Sequence, residues 1–297
     1  MHVIITGVHG LVGSVLRPHL VSRGHRATPL VRAEAQNGGQ PSWCPEQNQI
    51  ALDGAGAFDA VIHLAGENIA QRWSAKAKRR IRDSRVNGTR LLCDALARQT
   101  SPPKVLICAS ATGFYGNRGE EILDEQSPPG SGFLADVCRA WEAATEPATR
   151  RGIRVVNLRL GIVLSRRGGA LKKMLPPFRL GLGGKIGSGR QFWSWIAMDD
   201  VVAVVDHALQ TETLRGPVNV VSPQALRNVE FTKFLAAALH RPAVLSVPKF
   251  AVKLLMSEMG EEALLSSICV KPARLEQTGF QFKFPELKEA LEQLLAH

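Results

Sequence analysis

The sequence predicts an α/β fold, a doubly wound parallel sheet followed by a small, mostly helical C-terminal portion. Three observations carry that prediction. Short β-branched runs alternate with longer helical patterns over about the first 160 residues, the alternation that builds a parallel sheet with helices on both faces. A glycine-rich turn joins the first strand to the first helix at the start of the sequence. After Gly168 the alternation breaks, and glycine-dense and helical stretches follow.

Residues 2–6 read as a strand, 11–23 as a helix ended by Gly24, and 26–31 as a second strand. Residues 33–56 are polar, glycine-rich and weakly patterned, so they predict a surface excursion with at most one short strand. Residues 59–64 form another strand, and a long helix opens near Ser74, whose hydroxyl suits an N-cap. Residues 104–110 and 154–158 are two more strands. Between them a loop rich in glycine, proline and acidic residues leads to a helix over 135–150. Next come a helix over 171–178, a glycine-dense stretch over 181–189 and an aromatic strand-like run over 191–198. Asp199 is expected to cap a helix reaching Leu209, and residues 218–221 to form the last strand of the main sheet. The remainder reads as mostly helical, ending in a helix opened by Pro285. The division this implies is a sheet domain of residues 1–168 plus 197–222 and a smaller substrate domain of 169–196 plus 223–297.

The 297 residues are 45% apolar with mean hydropathy −0.03, which places the chain among ordinary globular proteins. No stretch approaches the roughly 20 apolar residues of a membrane span. The sequence opens on Val3-Ile4-Ile5, which reads as a strand and not as a leader, so a cytoplasmic location is expected. Five cysteines, far apart and without a CxxC pair, argue against both a disulfide framework and a zinc site, so no metal is expected. The net charge of +11 is concentrated in Arg72, Lys76, Lys78, Arg79, Arg80, Arg82 and Arg85. Such a balance suits phosphate-bearing partners. Nucleic acid is the disfavoured member of that group, because no aromatic interleaving accompanies the charge.

The chemistry begins at Gly7-Val8-His9-Gly10-Leu11-Val12-Gly13, a G-x-x-G-x-x-G turn between strand and helix. The first glycine permits a tight turn, the second lets a pyrophosphate approach the backbone, and the third lets helix and strand pack closely. Free amides at the helix start then face the anion. About 20 residues further on, where NAD-specific Rossmann folds place a carboxylate for the ribose 2′-hydroxyl, stand Val31 and Arg32. A guanidinium binds a 2′-phosphate through charge-assisted bonds worth about 1.5–3 kcal/mol, a ten- to hundredfold preference for NADP(H). Glu34 lies close enough in sequence to blur it.

These residues resemble the extended short-chain dehydrogenase/reductase superfamily, and within it the nucleotide-sugar-epimerase-like branch of epimerase family proteins. The resemblance covers nearly the whole chain. It is carried further by His63-Leu64-Ala65-Gly66-Glu67-Asn68-Ile69, by Asp83-Ser84-Arg85 and by Ala109-Ser110-Ala111-Thr112-Gly113-Phe114-Tyr115-Gly116. Its most specific runs are Leu175-Pro176-Pro177-Phe178-Arg179-Leu180-Gly181-Leu182-Gly183-Gly184 and Ile186-Gly187-Ser188-Gly189-Arg190-Gln191. The resemblance implies that Leu64, Ala65 and Gly66 pass under the adenosine and pyrophosphate, with Ala109, Ser110 and Arg85 also at the cofactor. Gly161, Ile162 and Val163 would border the nicotinamide.

Catalysis in the superfamily normally uses Tyr-x-x-x-Lys, in which the lysine lowers the tyrosine pKa for proton transfer. Tyr115 is the single tyrosine and is followed four residues later by Gly119. Phe133 and Val137 stand where the motif should fall, and no lysine occurs between Lys104 and Lys172. The serine that assists the tyrosine is displaced too, since its position is Ala111. Tyr115 and Thr112 are therefore the first substitutes as catalytic residues, with Glu120, Glu121 and Glu142 behind them. His63 is expected to pack at the strand end.

On the substrate side, glycines 181, 183, 184, 187 and 189 with Arg179, Lys185 and Arg190 make a cationic loop suited to a phosphate or diphosphate. Arg190 is the first candidate for substrate contact and Trp193 the second. Alternation sends Trp193 and Trp195 to one face, away from Phe192 and Ser194. Two classes of function follow. One is an NADP(H)-dependent oxidoreductase or epimerase acting on a nucleotide-linked or phosphorylated small molecule. The other is a regulatory or interaction protein that keeps the nucleotide site without turnover.

Overall fold

The computed structural model describes residues 1–33 and 39–296, so Glu34 lies outside the described residues. Strands β1 (His2–Thr6), β2 (Arg26–Pro29), β3 (Ala60–His63), β4 (Val105–Ala111), β5 (Arg154–Leu160) and β6 (Gly216–Val220) form one parallel sheet of six strands, ordered β2-β1-β3-β4-β5-β6. The helices in chain order are α1 (Gly13–Ser22), α2 (Ala75–Ala97), α3 (Phe133–Ala143), α4 (Glu146–Arg150) and α5 (Gly169–Arg179). They continue with α6 (Met198–Gln210), α7 (Asn228–Ala238), α8 (Lys249–Gly260), α9 (Ala273–Gln277) and α10 (Leu287–Leu295).

The inner strands β1, β3 and β4 are mostly apolar on both faces because both are covered. Val3 and Ile5 point to one face, where they pack with Leu16 and Leu20 of α1 and Val204 and Val205 of α6. Ile4 points to the other, into a core shared with Leu92 and Leu96 of α2 and Trp141 of α3. The chain leaves β1 toward β2 and returns to place β3 on the opposite side, so the strand order reverses beside β1. In open α/β sheets a crevice opens at the carboxyl ends of the strands at such a point. A third core, formed by Leu171, Leu175, Phe178, Trp193, Trp195, Phe231, Leu235, Leu287 and Leu291, holds the C-terminal region together.

Several sequence expectations are corrected in detail. Residues 33–56 carry more than one short strand. Ser42–Cys44 pairs with both Val31–Arg32 and Gln49–Ala51, anchored by Trp43, which is buried edge-on to His63. One buried tryptophan supplies an anchor that hydropathy patterning does not register. The second strand accordingly ends at Pro29, and Val31–Arg32 joins the smaller sheet. The helix expected over 135–150 splits into α3 and α4, with Pro147 in the first turn of the second, where its missing N–H is harmless. The first helix starts at Gly13, and the last starts at Leu287, beyond Pro285.

The run 191–198 forms two strands, not one. Phe192–Trp193 pairs with Leu226–Arg227, and Trp195–Ala197 pairs with Ile162–Leu164. Ser194 between them donates its hydroxyl to the Ile268 carbonyl (2.8 Å) and accepts from the Val270 amide (2.9 Å). Asp199 is not a cap, since Ala197 occupies that position. The neighbouring Asp200 carboxylate instead accepts the Lys283 (2.7 Å) and Phe284 (3.1 Å) amides, tying the C-terminal region to α6. The Ser74 expectation agrees, for its hydroxyl accepts the Ala77 amide and caps α2.

Candidate functional site

The glycine turn is built so tightly that side chains are excluded. Gly7 has φ +69°, and a Cβ there would lie 2.8 Å from the Leu64 carbonyl carbon. A Cβ on Gly13 would collide with the Gly7 carbonyl oxygen, which already accepts the Gly10 amide at 2.9 Å. Gly10, Leu11 and Val12 thus carry the backbone around to the first turn of α1, where amides without helical partners face the crevice. The shape, free backbone donors and dipole direction fit a diphosphate.

The far wall is held by a buried network at the end of β3. The Thr6 hydroxyl accepts from the Leu64 (3.1 Å) and Ala65 (3.2 Å) amides, fixing the strip that lies across from the glycines. Its own proton then points to His63 Nδ1 at 2.8 Å, which leaves Nε2 to donate to Thr89 Oγ1 at 3.0 Å. Trp141 Nε1 donates to the same oxygen. Burial pushes the His63 imidazole down to about 4, so it is neutral at physiological pH. Its role is packing and tautomer-specific bonding, as expected at that strand end.

Arg85 lies beside Gly66, whose added Cβ would meet its guanidinium carbon at 3.1 Å. The guanidinium donates to the Glu67 and Ile81 carbonyls and sits over the Trp141 ring. It thus braces the loop after β3 at the crevice rim. Arg32 is exposed at the end of Val31–Arg32 and pairs with Glu46.

At the ends of β4 and β5 the structure gathers a cluster that spacing could not show. Arg159, only 4% exposed in its side chain, pairs with both oxygens of Glu142 at 2.8 and 2.9 Å. It also donates to the Tyr115 hydroxyl at 2.9 Å and stacks on Phe114. Ser110 donates to Glu142 at 2.7 Å. The Tyr115 hydroxyl sits 2.8 Å from the Asp124 carbonyl and 2.7 Å from Asn219 Oδ1, and the residue is fully buried. Burial pushes the phenol up to about 12, against the pull of Arg159. In this conformation the hydroxyl expected to transfer a proton is enclosed by structural bonds. Thr112 begins the short 3-10 turn that carries Tyr115 and is half-buried. Ala109 and Ser110 are buried, Gly161 is half-buried, and Ile162–Leu164 pairs with Trp195–Ala197.

The relay positions are apolar in space as in sequence. Phe133 packs edge-on against Trp73, and Val137 is buried one turn further along α3. The carboxylates considered as substitutes all have cationic partners. Glu120 pairs with Arg227, whose hydrogen bonds hold it below the usual carboxylate range, Glu121 pairs with Arg118, and Glu142 with Arg159. Arg190 is exposed, and its carbonyl accepts from Arg227. Trp193 departs from expectation. It is 4% exposed and packs on Phe231 in the third core, with Nε1 donating to the Leu264 carbonyl.

A cavity of about 230 Å3 opens beside Gly113 and Gly116, beyond the end of β4, and Leu134 of α3 forms another wall. The C-terminal region closes it with Lys249, Glu261, Glu262, Leu265 and Ile268. The Glu262 carboxylate accepts the Phe133 (2.9 Å) and Leu134 (2.8 Å) amides at the start of α3. Sequence reasoning missed Glu262, because nothing in a helical, acidic stretch marks one carboxylate for a contact about 130 residues away.

A glycine cradle at the switch point, a braced opposite wall and a cavity beyond the fourth strand define a Rossmann-type α/β protein of the extended short-chain reductase kind. A model of the NAD dependent epimerase/dehydratase family matches residues 3–221, and a domain of unknown function, DUF1731, matches residues 247–294. The chain belongs to that epimerase/dehydratase family. It is 41% identical to an epimerase family protein of Mycobacterium bovis over 97% of this chain and 96% of that protein. The crystal structure of human epimerase family protein SDR39U1 with NADPH matches with TM-score 0.89 and 34% identity, covering 100% of this chain and 99% of that one. A nucleoside-diphosphate sugar epimerase of Corynebacterium glutamicum matches with TM-score 0.80 and 37% identity, covering 99% of this chain and 58% of that longer one. Among the described residues no helix is long and apolar enough to cross a membrane.

Proposed function

We propose that the chain is an NADP(H)-dependent oxidoreductase or epimerase of the extended short-chain reductase type, acting on a nucleotide-linked or phosphorylated small molecule without the Tyr-x-x-x-Lys relay. The observation that carries this reading is the side-chain-free cradle at Gly7, Gly10 and Gly13, with Arg32 exposed at the end of the neighbouring strand. Leu11 and Val12 continue the cradle, and Leu64, Ala65 and Gly66 form the facing strip. Val31 and Arg32 take the adenosine ribose and its 2′-phosphate, which replaces Glu46 as partner of the guanidinium. The NADPH in the human relative's structure supports the choice of cofactor.

NADP(H), when bound, would supply the hydride chemistry through its nicotinamide. Ala109, Ser110, Gly161, Ile162 and Val163 would shape its surroundings, Arg85 steadies the rim, and Thr112, which opens the 3-10 turn after β4, is the hydroxyl candidate for proton transfer that is not enclosed as Tyr115 is. Arg190 and the glycine-dense loop meet the substrate's phosphate. The division into a cofactor portion of residues 1–168 plus 197–222 and a substrate portion of the remainder belongs to the same proposal. So does a reducing, cytoplasmic setting, in keeping with five free cysteines.

A second reading, a cofactor-binding regulator, is favoured by one observation: Ala111, Phe133 and Val137 occupy the relay positions while every carboxylate considered as a substitute is paired. Absorbance at 340 nm together with product analysis distinguishes the two. Under the enzyme reading, a panel of sugar nucleotides or phosphorylated carbonyl compounds either oxidises NADPH, with loss of absorbance, or is converted to epimers by the cofactor-loaded protein, since an epimerase returns the hydride and leaves no net oxidation. Tight NADPH binding with neither oxidation nor epimer formation across the panel would favour the regulator.

A further inference from the structure

Residues 249–265 are held to the rest of the molecule by polar ties and by very little apolar packing. Within α8 only Val252 and Gly260 are buried, whereas Phe250, Leu254 and Leu255 are 71, 77 and 74% exposed. The helix is broken at Ser257, whose φ of 53° and ψ of −142° lie in a region essentially reserved for glycine. A π-turn over Glu261–Leu265 follows. This break aims two carboxylates at the sheet domain. Glu258 pairs with Lys78 of α2 at 2.5 Å, and Glu262 takes the two amides at the start of α3. The downstream end is anchored, for the Leu264 carbonyl accepts from Gln191 and Trp193, and the Ser267 amide donates to Asn117.

We propose that residues 249–263 form a lid over the cavity beside β4, bent at Ser257, anchored from Leu264 onward and latched by Glu262 on the first amides of α3. The cavity walls come from both sides of this contact. Gly113, Gly116, Ser131, Leu134 and the anchored Leu265 form the fixed side, and Lys249, Glu261 and Glu262 the lid side. Lifting the segment therefore opens the cavity without disturbing the sheet. A segment with few buried apolar contacts sits at the low end of local stability, where opening precedes global unfolding. Closure would exclude water from a hydride transfer, the common use of such lids. The inference rests on the proposed use of the cavity as the reaction site, but its test needs neither cofactor nor substrate.

Hydrogen exchange of the full-length protein, followed by mass spectrometry, supplies that test. Peptides from 249–263 are expected to exchange at least about a hundredfold faster than those of α7 and α10, consistent with subglobal opening. Glu262→Ala should accelerate 249–263, as well as Phe133 and Leu134, by about tenfold or more, with β1 to β5 unchanged. A static cap predicts something different, namely acceleration at Phe133 and Leu134 alone. That result would overturn the proposal, as would lid peptides as protected as α7 and α10 in the unmodified protein. Should Glu262→Ala also lose protection in the sheet, Lys78→Ala provides the same comparison at the second tie, and an unchanged lid there would count against it.

Discussion

Arg32 meets Glu46 in the structure, an exposed pair of the kind that contributes little to stability. A 2′-phosphate offers the same guanidinium a doubly charged partner. Arg32→Ala is therefore expected to weaken NADPH binding about ten- to hundredfold and to leave NADH binding nearly unchanged, measured by titration calorimetry. Equal losses for both would remove Arg32 from the phosphate. His63 gives a second prediction. Its folded pKa of about 4 lies below the usual 6.5, so the unfolded chain binds the extra proton first. The stability it contributes is complete above about pH 6.5 and is lost as pH falls toward 4. Urea unfolding should show the protein losing about 2 kcal/mol more than His63→Asn between about pH 7 and pH 5. The tight glycine turn was legible because its meaning is set by spacing along the chain, and the same spacing is what singles out Arg32 for the proposed phosphate contact. Glu262 and Arg159 were not, since their meaning depends on partners that only the fold brings near.

The helix α3 shows where reading by element succeeds and stops. Its existence and its apolar Phe133 and Val137 follow from the sequence, and so does the lack of the Tyr-x-x-x-Lys residues, although it starts two residues before the expected 135. Sequence could not show that Glu142 on its far turn is committed to Arg159 of β5, or that this pair clamps Tyr115. Removing one partner of a buried ion pair leaves the other uncompensated. Glu142→Gln should thus lower the unfolding free energy by about 3–5 kcal/mol, and a loss below about 1 kcal/mol would mean the pair is not sealed as described. The inner strands of the main sheet were legible as buried apolar runs, and the edge strand β2, which has no buried residue, by its place in the strand–helix alternation. The three-stranded sheet over 31–51 was not, because its strands are two or three residues long and rely on the single anchor Trp43.

For the molecule as a whole, the doubly wound order and a separate helical C-terminal region followed from strand–helix alternation and its end after Gly168. How that region reaches back to the helices of the sheet did not follow, since Asp200 of α6 takes its Lys283 amide while its own Glu258 and Glu262 reach α2 and α3, all pairings with no local pattern. The proposed function depends on a dinucleotide lying against the glycine turn. Gly10 is exposed, and a Cβ there would lie 3.1 Å from the Gly7 carbonyl oxygen, a tight contact that Gly10→Ala and Gly10→Asp share, while only the second places a carboxylate where the diphosphate belongs. Titration of NADPH into the unmodified protein and into Gly10→Asp, with Gly10→Ala as the steric control and Tm monitored throughout, is the measurement that matters. The unmodified protein should bind, and Gly10→Asp should lose about a hundredfold or more in Kd at the Tm of Gly10→Ala. Equal affinity in the two proteins, or no binding by the unmodified one, would contradict it.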